Sequence, residues 1–97
     1  MTITSSQRKK LKSLAHHLSS AVNIGKDGLN EGVFNSISEV LEKYELVKIK
    51  FSKNKEFKQE YSQKIINNTD SAKVCLIGNI LVIYKKSKKP KNRHIKL

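Results

Sequence analysis

The spacing of apolar residues along the chain predicts three amphipathic helices. Apolar side chains recur at intervals of three and four residues in three segments, which is the repeat of one helix face. The stripes consist of Leu11, Leu14, Ala15 and Leu18, then Val33, Ile37, Val40, Leu41 and Tyr44, and finally Phe57, Tyr61 and Ile65. We therefore expect helices over about 5–18, 30–43 and 54–67, the second of them with Asn30 as its N-cap.

Four strands are predicted between and after these helices. The segment 21–24 is short and rich in β-forming residues, and a glycine follows it. Residues 46–51 alternate apolar residues with outward-facing lysines, which indicates a strand with one wet face. The apolar run 72–84 is divided by Gly78 and Asn79, which suit a two-residue hairpin turn. This run predicts two antiparallel strands, and the second lacks polar alternation, so we expect it to be covered on both faces.

The predicted order of elements is helix, strand, helix, strand, helix, strand, strand. Strands that alternate with helices favour parallel pairing, and the final hairpin adds an antiparallel pair. This order predicts an α/β fold in which helices pack on a mixed four-stranded sheet. A chain of 97 residues holds one domain, which we assign to residues 1–86. Residues 87–97 form a lysine-rich tail that we expect to be disordered without a partner.

Charge changes this picture because it is unevenly distributed along the chain. The net charge is +12, and the sequence pI is about 10.0. Residues 1–26 hold five lysines and arginines with no acid, and residues 85–97 hold seven with no acid. Residues 27–84 are balanced, with eight lysines and eight acids. Because the surplus lies in the first helix, the loop after the first strand and the tail, we expect the partner to be a polyanion.

The composition argues against a secreted or membrane-spanning protein. Cys75 is the single cysteine, so an intramolecular disulfide is impossible and a reducing compartment is the simpler assumption. No apolar run has the length of a signal peptide or a membrane span. We expect a cytoplasmic monomer without a membrane partner.

A glycine-flanked loop, Gly25-Lys26-Asp27-Gly28, follows the first predicted strand and precedes the second helix. Both glycines permit a positive φ and a close approach of the backbone to a ligand. The helix that follows offers unpaired N–H groups to an anion. We interpret the loop as an RNA-contacting site, and an ordinary strand-to-helix turn is the alternative. Asp27 is unfavourable there, since its carboxylate repels phosphate unless it points away or caps the next turn.

The first helix is expected to extend this cationic site. Arg8, Lys9 and Lys12 lie on its polar face, and the absence of acids in this part of the sequence favours a phosphate-binding face over an ordinary solvated one. The possible contacts in the tail are Lys85, Lys86, Lys88 and Lys89.

The patterns of a small enzyme are missing from the chain. The loop lacks both the GxxxxGK[ST] pattern and the third glycine of a dinucleotide-binding motif. His16 and His17 are adjacent, so they cannot form the i, i+4 pair of a metal site on one helix. We expect no catalysis, no cofactor, no metal and no small-molecule substrate. The alternatives are a general anionic nucleic-acid binder driven by the tail and, less favoured, a phosphate- or nucleotide-binding enzyme.

Four blocks of the sequence, at residues 7–18, 24–29, 45–50 and 77–84, resemble the CRM domain (chloroplast RNA splicing and ribosome maturation) in its stand-alone bacterial YhbY-like form. The resemblance covers about residues 4–86. It implies an α/β fold like the C-terminal domain of bacterial translation initiation factor three. It also implies an RNA-binding GxxG loop, here Gly25 to Gly28, with a basic face from the first helix beside it. The implied function is association with ribosomal RNA or precursors of the large ribosomal subunit.

Overall fold

The computed structural model describes residues 2–97 as three α-helices around a four-stranded sheet. The elements are α1 (Ser5–Ala15), β1 (Val22–Ile24), α2 (Glu31–Tyr44), β2 (Leu46–Phe51), α3 (Lys58–Thr69), β3 (Ala72–Ile77) and β4 (Ile80–Tyr84), with short 3-10 helices at Lys55–Phe57 and Pro90–Asn92. The strand order is β1-β2-β4-β3, in which β1 pairs parallel to β2 and the other pairs are antiparallel. The predicted α/β fold with a mixed sheet is therefore confirmed.

Helix ends follow local hydrogen bonding. Asn30 caps α2 as predicted, because its Oδ1 accepts a hydrogen bond from the backbone N–H of Val33 at 2.9 Å. Helix α1 ends three residues earlier than expected, since i to i−3 bonds tighten its last turn, as in the bond from Leu18 N–H to the Ala15 carbonyl. Helix α3 begins later than expected because Asn54 has a left-handed backbone, with φ of 55°.

The sheet separates two apolar clusters. On one face, α2 and α3 pack against the inward residues of β2 and β4, and the cluster consists of Ile24, Ile37, Leu41, Val47, Ile49, Phe51, Ile65, Leu81 and Ile83. On the other face, Leu11 and Ala15 of α1 cover a second cluster that contains Leu46, Ala72, Val74, Val82 and Tyr84. Strand β4 contributes to both clusters, which confirms that it is covered on both sides. We call these the α2/α3 side and the α1 side of the sheet.

The tail, which we expect from the sequence to be disordered without a partner, follows a defined path along the domain in the structure. Ser87 is buried, and its N–H donates to the Glu45 carboxylate at 2.8 Å. The N–H of His94 donates to the other oxygen of that carboxylate, also at 2.8 Å. The sequence displays the lysines of the tail, whereas these contacts use its backbone amides. That is why composition alone did not indicate them.

The described part of the chain contains no helix that is long and apolar enough to cross a membrane. Cys75 is a free thiol, half-buried at the margin of the cluster under α1.

Candidate nucleic-acid interface

The loop Gly25 to Gly28 is a tight turn at the end of β1. The N–H of Gly28 donates to the carbonyl of Gly25 at 3.1 Å, which leaves Lys26 and Asp27 exposed at the tip. Gly28 is buried and has a φ of 65°, and a Cβ added there would lie 2.9 Å from Oη of Tyr61. Gly25 lies outside the left-handed region, and a Cβ there would meet nothing within 4 Å. The two glycines therefore differ: Gly28 is required by the fold, whereas Gly25 leaves open space for a ligand.

Asn54 fixes the orientation of the peptide groups in this turn. Its Nδ2 donates to the carbonyls of Gly25 and Lys26, both at 3.1 Å. All described peptide bonds are trans, so each N–H points opposite to the carbonyl of its own peptide group. The N–H groups of Lys26 and Asp27 therefore point away from Asn54. Consecutive amides aimed in one direction form an anion-binding concavity.

The base of the loop is attached to the end of β2. The carbonyl of Ile24 accepts from the N–H groups of Ser52 and Lys53, at 3.0 and 3.2 Å. The start of α2 contributes less to anion binding than its position suggests. The Asn30 side chain already occupies one of its free N–H groups, and Glu31 places a negative charge in its first turn.

The charges of the domain are divided between the two sides of the sheet. Seven of the eight acids lie in α2, α3 or the turns at their ends: Glu31, Glu39, Glu42, Glu45, Glu56, Glu60 and Asp70. The eighth is Asp27 in the loop. The α1 side carries lysines from both the helix and β2, and among residues 2–97 no acid lies in α1 or in the four strands. The segment that is neutral in sequence is thus split by the fold, and the α1 side is a cationic face.

Strand register leaves one row of this cationic face uncovered. The row next to the loop consists of Asn23, Lys50, Ile80 and Ile77, which are aligned as cross-strand partners. Asn23 and Lys50 are exposed, and Ile77 is 55% exposed. By contrast, the row with Leu46, Tyr84 and Ala72 at the other end is buried under α1. Residues in register point to the same face, so Lys50 lies within an open strip that begins at the loop.

The cationic residues predicted on α1 are not all close to the loop. Lys12 and His16 line a shallow groove of about 190 Å³ with Lys48 of β2 and the strip residues Ile77 and Ile80. Lys12 therefore adjoins the open strip.

Arg8 lies further away from the loop than Lys12 does. Its Nε donates at 3.4 Å to the carbonyl of Lys73, in β3. The strand β3 is three strand spacings, or roughly 14 Å, from β1. Lys9 is exposed on α1.

Sequence reasoning missed three residues of this interface. Lys48 lies on the same face in the row that pairs with Val82, where its Nζ donates to the Leu18 carbonyl at 2.9 Å, and Lys50 is exposed. The alternation of residues 46–51 placed both lysines outward, but only the strand order puts them beside the loop. Asn54 carried a weaker signal, that of an asparagine in a turn, with nothing to link it to residues 25 and 26.

Glu42 and Glu45, at the end of α2, bind the tail and are not part of this interface. Glu42 Oε1 accepts from Ser87 Oγ at 2.7 Å and from the N–H of Lys88 at 2.9 Å. These hydrogen bonds lower the pKa of Glu42 below 4.5, with the Ser87 hydroxyl as the largest cause.

Burial, together with the nearby charge of Glu45, raises the pKa of Tyr84 above 10.0. Among residues 2–97, no group of three or more His, Cys, Asp or Glu side chains could hold a metal ion.

The fold and the site define a small α/β domain with one cationic face and a glycine-flanked loop at its edge. The chain belongs to the CRS1 / YhbY (CRM) domain family, whose model matches residues 3–85. This confirms the resemblance inferred from the four sequence blocks.

Relatives of known name agree with this assignment. An RNA-binding protein of Haemophilus influenzae is 41% identical over 91 residues, which are 93% of this chain and 92% of the relative. YqeI of Bacillus subtilis, named as a probable RNA-binding protein, is 36% identical and is covered over 98% of both chains. The solution structure of SAV1595 from Staphylococcus aureus, described as a candidate RNA-binding protein, matches with a TM-score of 0.79 and 34% identity, over 98% of this chain and 100% of that one. These names denote binding proteins and not enzymes, in agreement with the expectation of no catalysis.

Proposed function

We propose that this protein binds RNA without catalysing a reaction, as a cytoplasmic monomer, and that its target is ribosomal RNA or a precursor of the large ribosomal subunit. The observation that carries the proposal is the cationic face with the open strip at the loop, where oriented amides and lysines meet. The names of the relatives support RNA as the partner. The ribosomal target rests on the family resemblance, and it needs no cofactor or small-molecule substrate.

The loop is suited to the RNA backbone. Phosphate oxygens would accept hydrogen bonds from the N–H groups of Lys26 and Asp27 and from the Lys26 ammonium. The contact would continue along the strip at Lys50, Lys48 and Lys12. Phosphate contacts fix position without reading sequence. Aromatic residues are few, and the Tyr61 ring beside Gly28 packs against both Phe51 and Phe57 on the α2/α3 side. Base stacking should therefore be minor, and shape and backbone should dominate recognition.

Salt dependence tests this mechanism. If about five to seven phosphates are contacted, log K should fall against log salt with a slope of about −0.7 to −0.9 per contact. A fluorescence-anisotropy titration with a structured ribosomal RNA fragment at several salt concentrations measures the slope. A nearly flat dependence would contradict recognition through the backbone.

The loop is tested by Gly25→Asp, with Ser36→Asp on exposed α2 as the control of equal charge. Gly25 has open space for the new side chain, so the fold should be unchanged. A carboxylate beside the loop amides should weaken RNA binding about tenfold or more, whereas the control should change it less than about threefold. Equal binding by the two folded variants would remove the loop from the site.

The tail-driven alternative predicts that binding depends on the tail alone. Replacing Lys86, Lys88, Lys89 and Lys91 with glutamine removes four of its exposed charges and keeps its backbone contacts. Under our proposal RNA binding weakens but survives, whereas a binder driven by the tail loses nearly all affinity.

Crosslinking in cells followed by sequencing of the bound RNA identifies the target. Recovery of no large-subunit ribosomal RNA would refute the ribosomal part of the proposal.

A further inference from the structure

Two carboxylates at the end of α2 bind the backbone of the tail. Glu45 is fully buried, and its two oxygens accept from the N–H groups of Ser87, His94 and Ile95, at 2.8, 2.8 and 3.4 Å. Glu42 accepts from the Ser87 hydroxyl and from the N–H groups of Lys88 and Lys89, at 2.7, 2.9 and 3.3 Å. Hydrogen bonds to an ionised acceptor are among the strong ones in proteins. The two acids therefore define the path of residues 87–95.

Further contacts close the same path. Arg93 Nε donates to the carbonyl of Ser87 at 2.8 Å, and Asn92 Nδ2 donates to the carbonyl of Glu42 at 3.2 Å. Ile95 packs against the apolar cluster under α1. Glu45 itself has a φ of 67°, a conformation that favours glycine. A glutamate with strained backbone and a buried carboxylate is consistent with a side chain that serves to anchor the tail.

These contacts leave the cations of the tail available. Both carboxylates are satisfied by amides and a hydroxyl, and the exposed side chains of the tail include those of Lys86, Lys88, Lys89, Lys91 and Lys96. The anchored tail lies near the start of β2, where Lys89 and Lys91 line a groove with Lys43 at the end of α2, and the loop lies at the other end of β2. The two are separated by the length of that strand, about 17 Å.

We infer that the docked tail is a second phosphate-binding surface, and that Glu42 and Glu45 are positioning residues that hold its lysines in place for an RNA stem reaching from the loop to the start of β2. This inference rests on the proposed function. Fixing the lysines in advance removes part of the entropy cost of ordering them on binding. The acids thus favour binding of a polyanion, although their own charge opposes it.

Because the negative charge of Glu42 and Glu45 opposes RNA binding, the direction in which affinity changes on removing that charge tests the inference. Removing a negative charge should tighten RNA binding if only net charge matters. Glu42→Gln should instead weaken it, because glutamine is a poorer acceptor for the tail amides. Ser87→Ala removes the 2.7 Å contact to Glu42 without changing any charge and should act in the same direction. The matched controls are Glu39→Gln, one turn earlier on α2, and Ser36→Ala.

The experiment uses the full chain and two RNA hairpins. One has a stem of about 16 base pairs, and the other has a stem too short to reach the tail when it is bound at the Gly25–Gly28 loop. We expect Glu42→Gln and Ser87→Ala to weaken binding of the long stem about three- to tenfold and to leave the short stem unchanged. Glu39→Gln should be unchanged or up to about twofold tighter. Hydrogen exchange of the Lys88 and Lys89 amides without RNA should be slow in the wild type and faster in Glu42→Gln.

The outcomes separate the inference from the proposed function. If Glu42→Gln binds the long stem as tightly as Glu39→Gln does, or if the wild-type tail amides exchange freely, the docked surface is refuted while RNA binding stands. If the wild type binds neither hairpin, the proposed function fails and the inference fails with it.

Discussion

Gly28→Ala should destabilise the domain, and Gly25→Ala should not. Gly28 has a φ of 65°, where a residue with a Cβ costs about 1–2 kcal/mol. The new Cβ would also lie 2.9 Å from Tyr61 Oη, and displacing that ring costs about 1 kcal/mol more. The ring is half-buried and packs against both Phe51 and Phe57.

The total of about 2–3 kcal/mol corresponds to a fall in Tm of roughly 10–20 °C for a domain of this size. Gly25→Ala should leave the free energy of unfolding unchanged or raise it by up to about 1 kcal/mol, because alanine restricts the unfolded chain. Urea unfolding followed by circular dichroism measures both variants.

A second substitution separates the two causes. Tyr61→Phe removes the oxygen that the Cβ approaches, so Gly28→Ala should cost about 1 kcal/mol less in that background. Equal costs for Gly25→Ala and Gly28→Ala would refute the assignment of different roles to the two glycines. An unchanged cost in the Tyr61→Phe background would refute the steric part.

Three further predictions concern the loop and the tail. Asp27→Asn should tighten RNA binding about threefold, since a carboxylate about 6 Å from a phosphate costs roughly 0.7 kcal/mol in water, and anisotropy measures the change. Asn54→Ala should weaken RNA binding, because it frees the carbonyls of residues 25 and 26; an unchanged affinity of the folded variant would count against oriented amides. The pKa of Glu42 is lowered, so its contribution to tail docking is present above about pH 4.5 and is lost as the pH falls through the lowered pKa. The NMR signal of the Lys88 amide should shift in that range, and a signal that does not titrate would show that the carboxylate is not its acceptor.

Local patterns predicted the fold well because its elements have regular periodicity. The bounds of β2 were predicted from the alternation of residues 46–51, and those of β3 and β4 from the turn at Gly78 and Asn79. All three agree closely with the structure. Asn54 illustrates the limit, because its left-handed conformation delays α3 and depends on contacts with residues 25 and 26.

The candidate site was predicted only in part, because sequence shows charge without direction. The surplus at residues 1–26 and 85–97 indicated a polyanion partner, and the loop lies between β1 and α2 as expected, while its contact with RNA stays a prediction. Lys48 and Lys50 lie in the segment that is neutral overall, so their role depends on strand register. The docking of the tail depends on backbone amides, which composition cannot reveal.

The central claim is that RNA binds to the loop and the α1 side of the sheet rather than to positive charge in general. Lys50→Glu places the reversed charge in the open strip, and Lys64→Glu places it on α3, where Lys64 makes only an exposed pair with Glu60 at 3.8 Å. Both variants change the net charge equally. Anisotropy with one structured RNA should show a loss of roughly tenfold or more for Lys50→Glu and less than about threefold for Lys64→Glu. Equal losses would contradict a defined face.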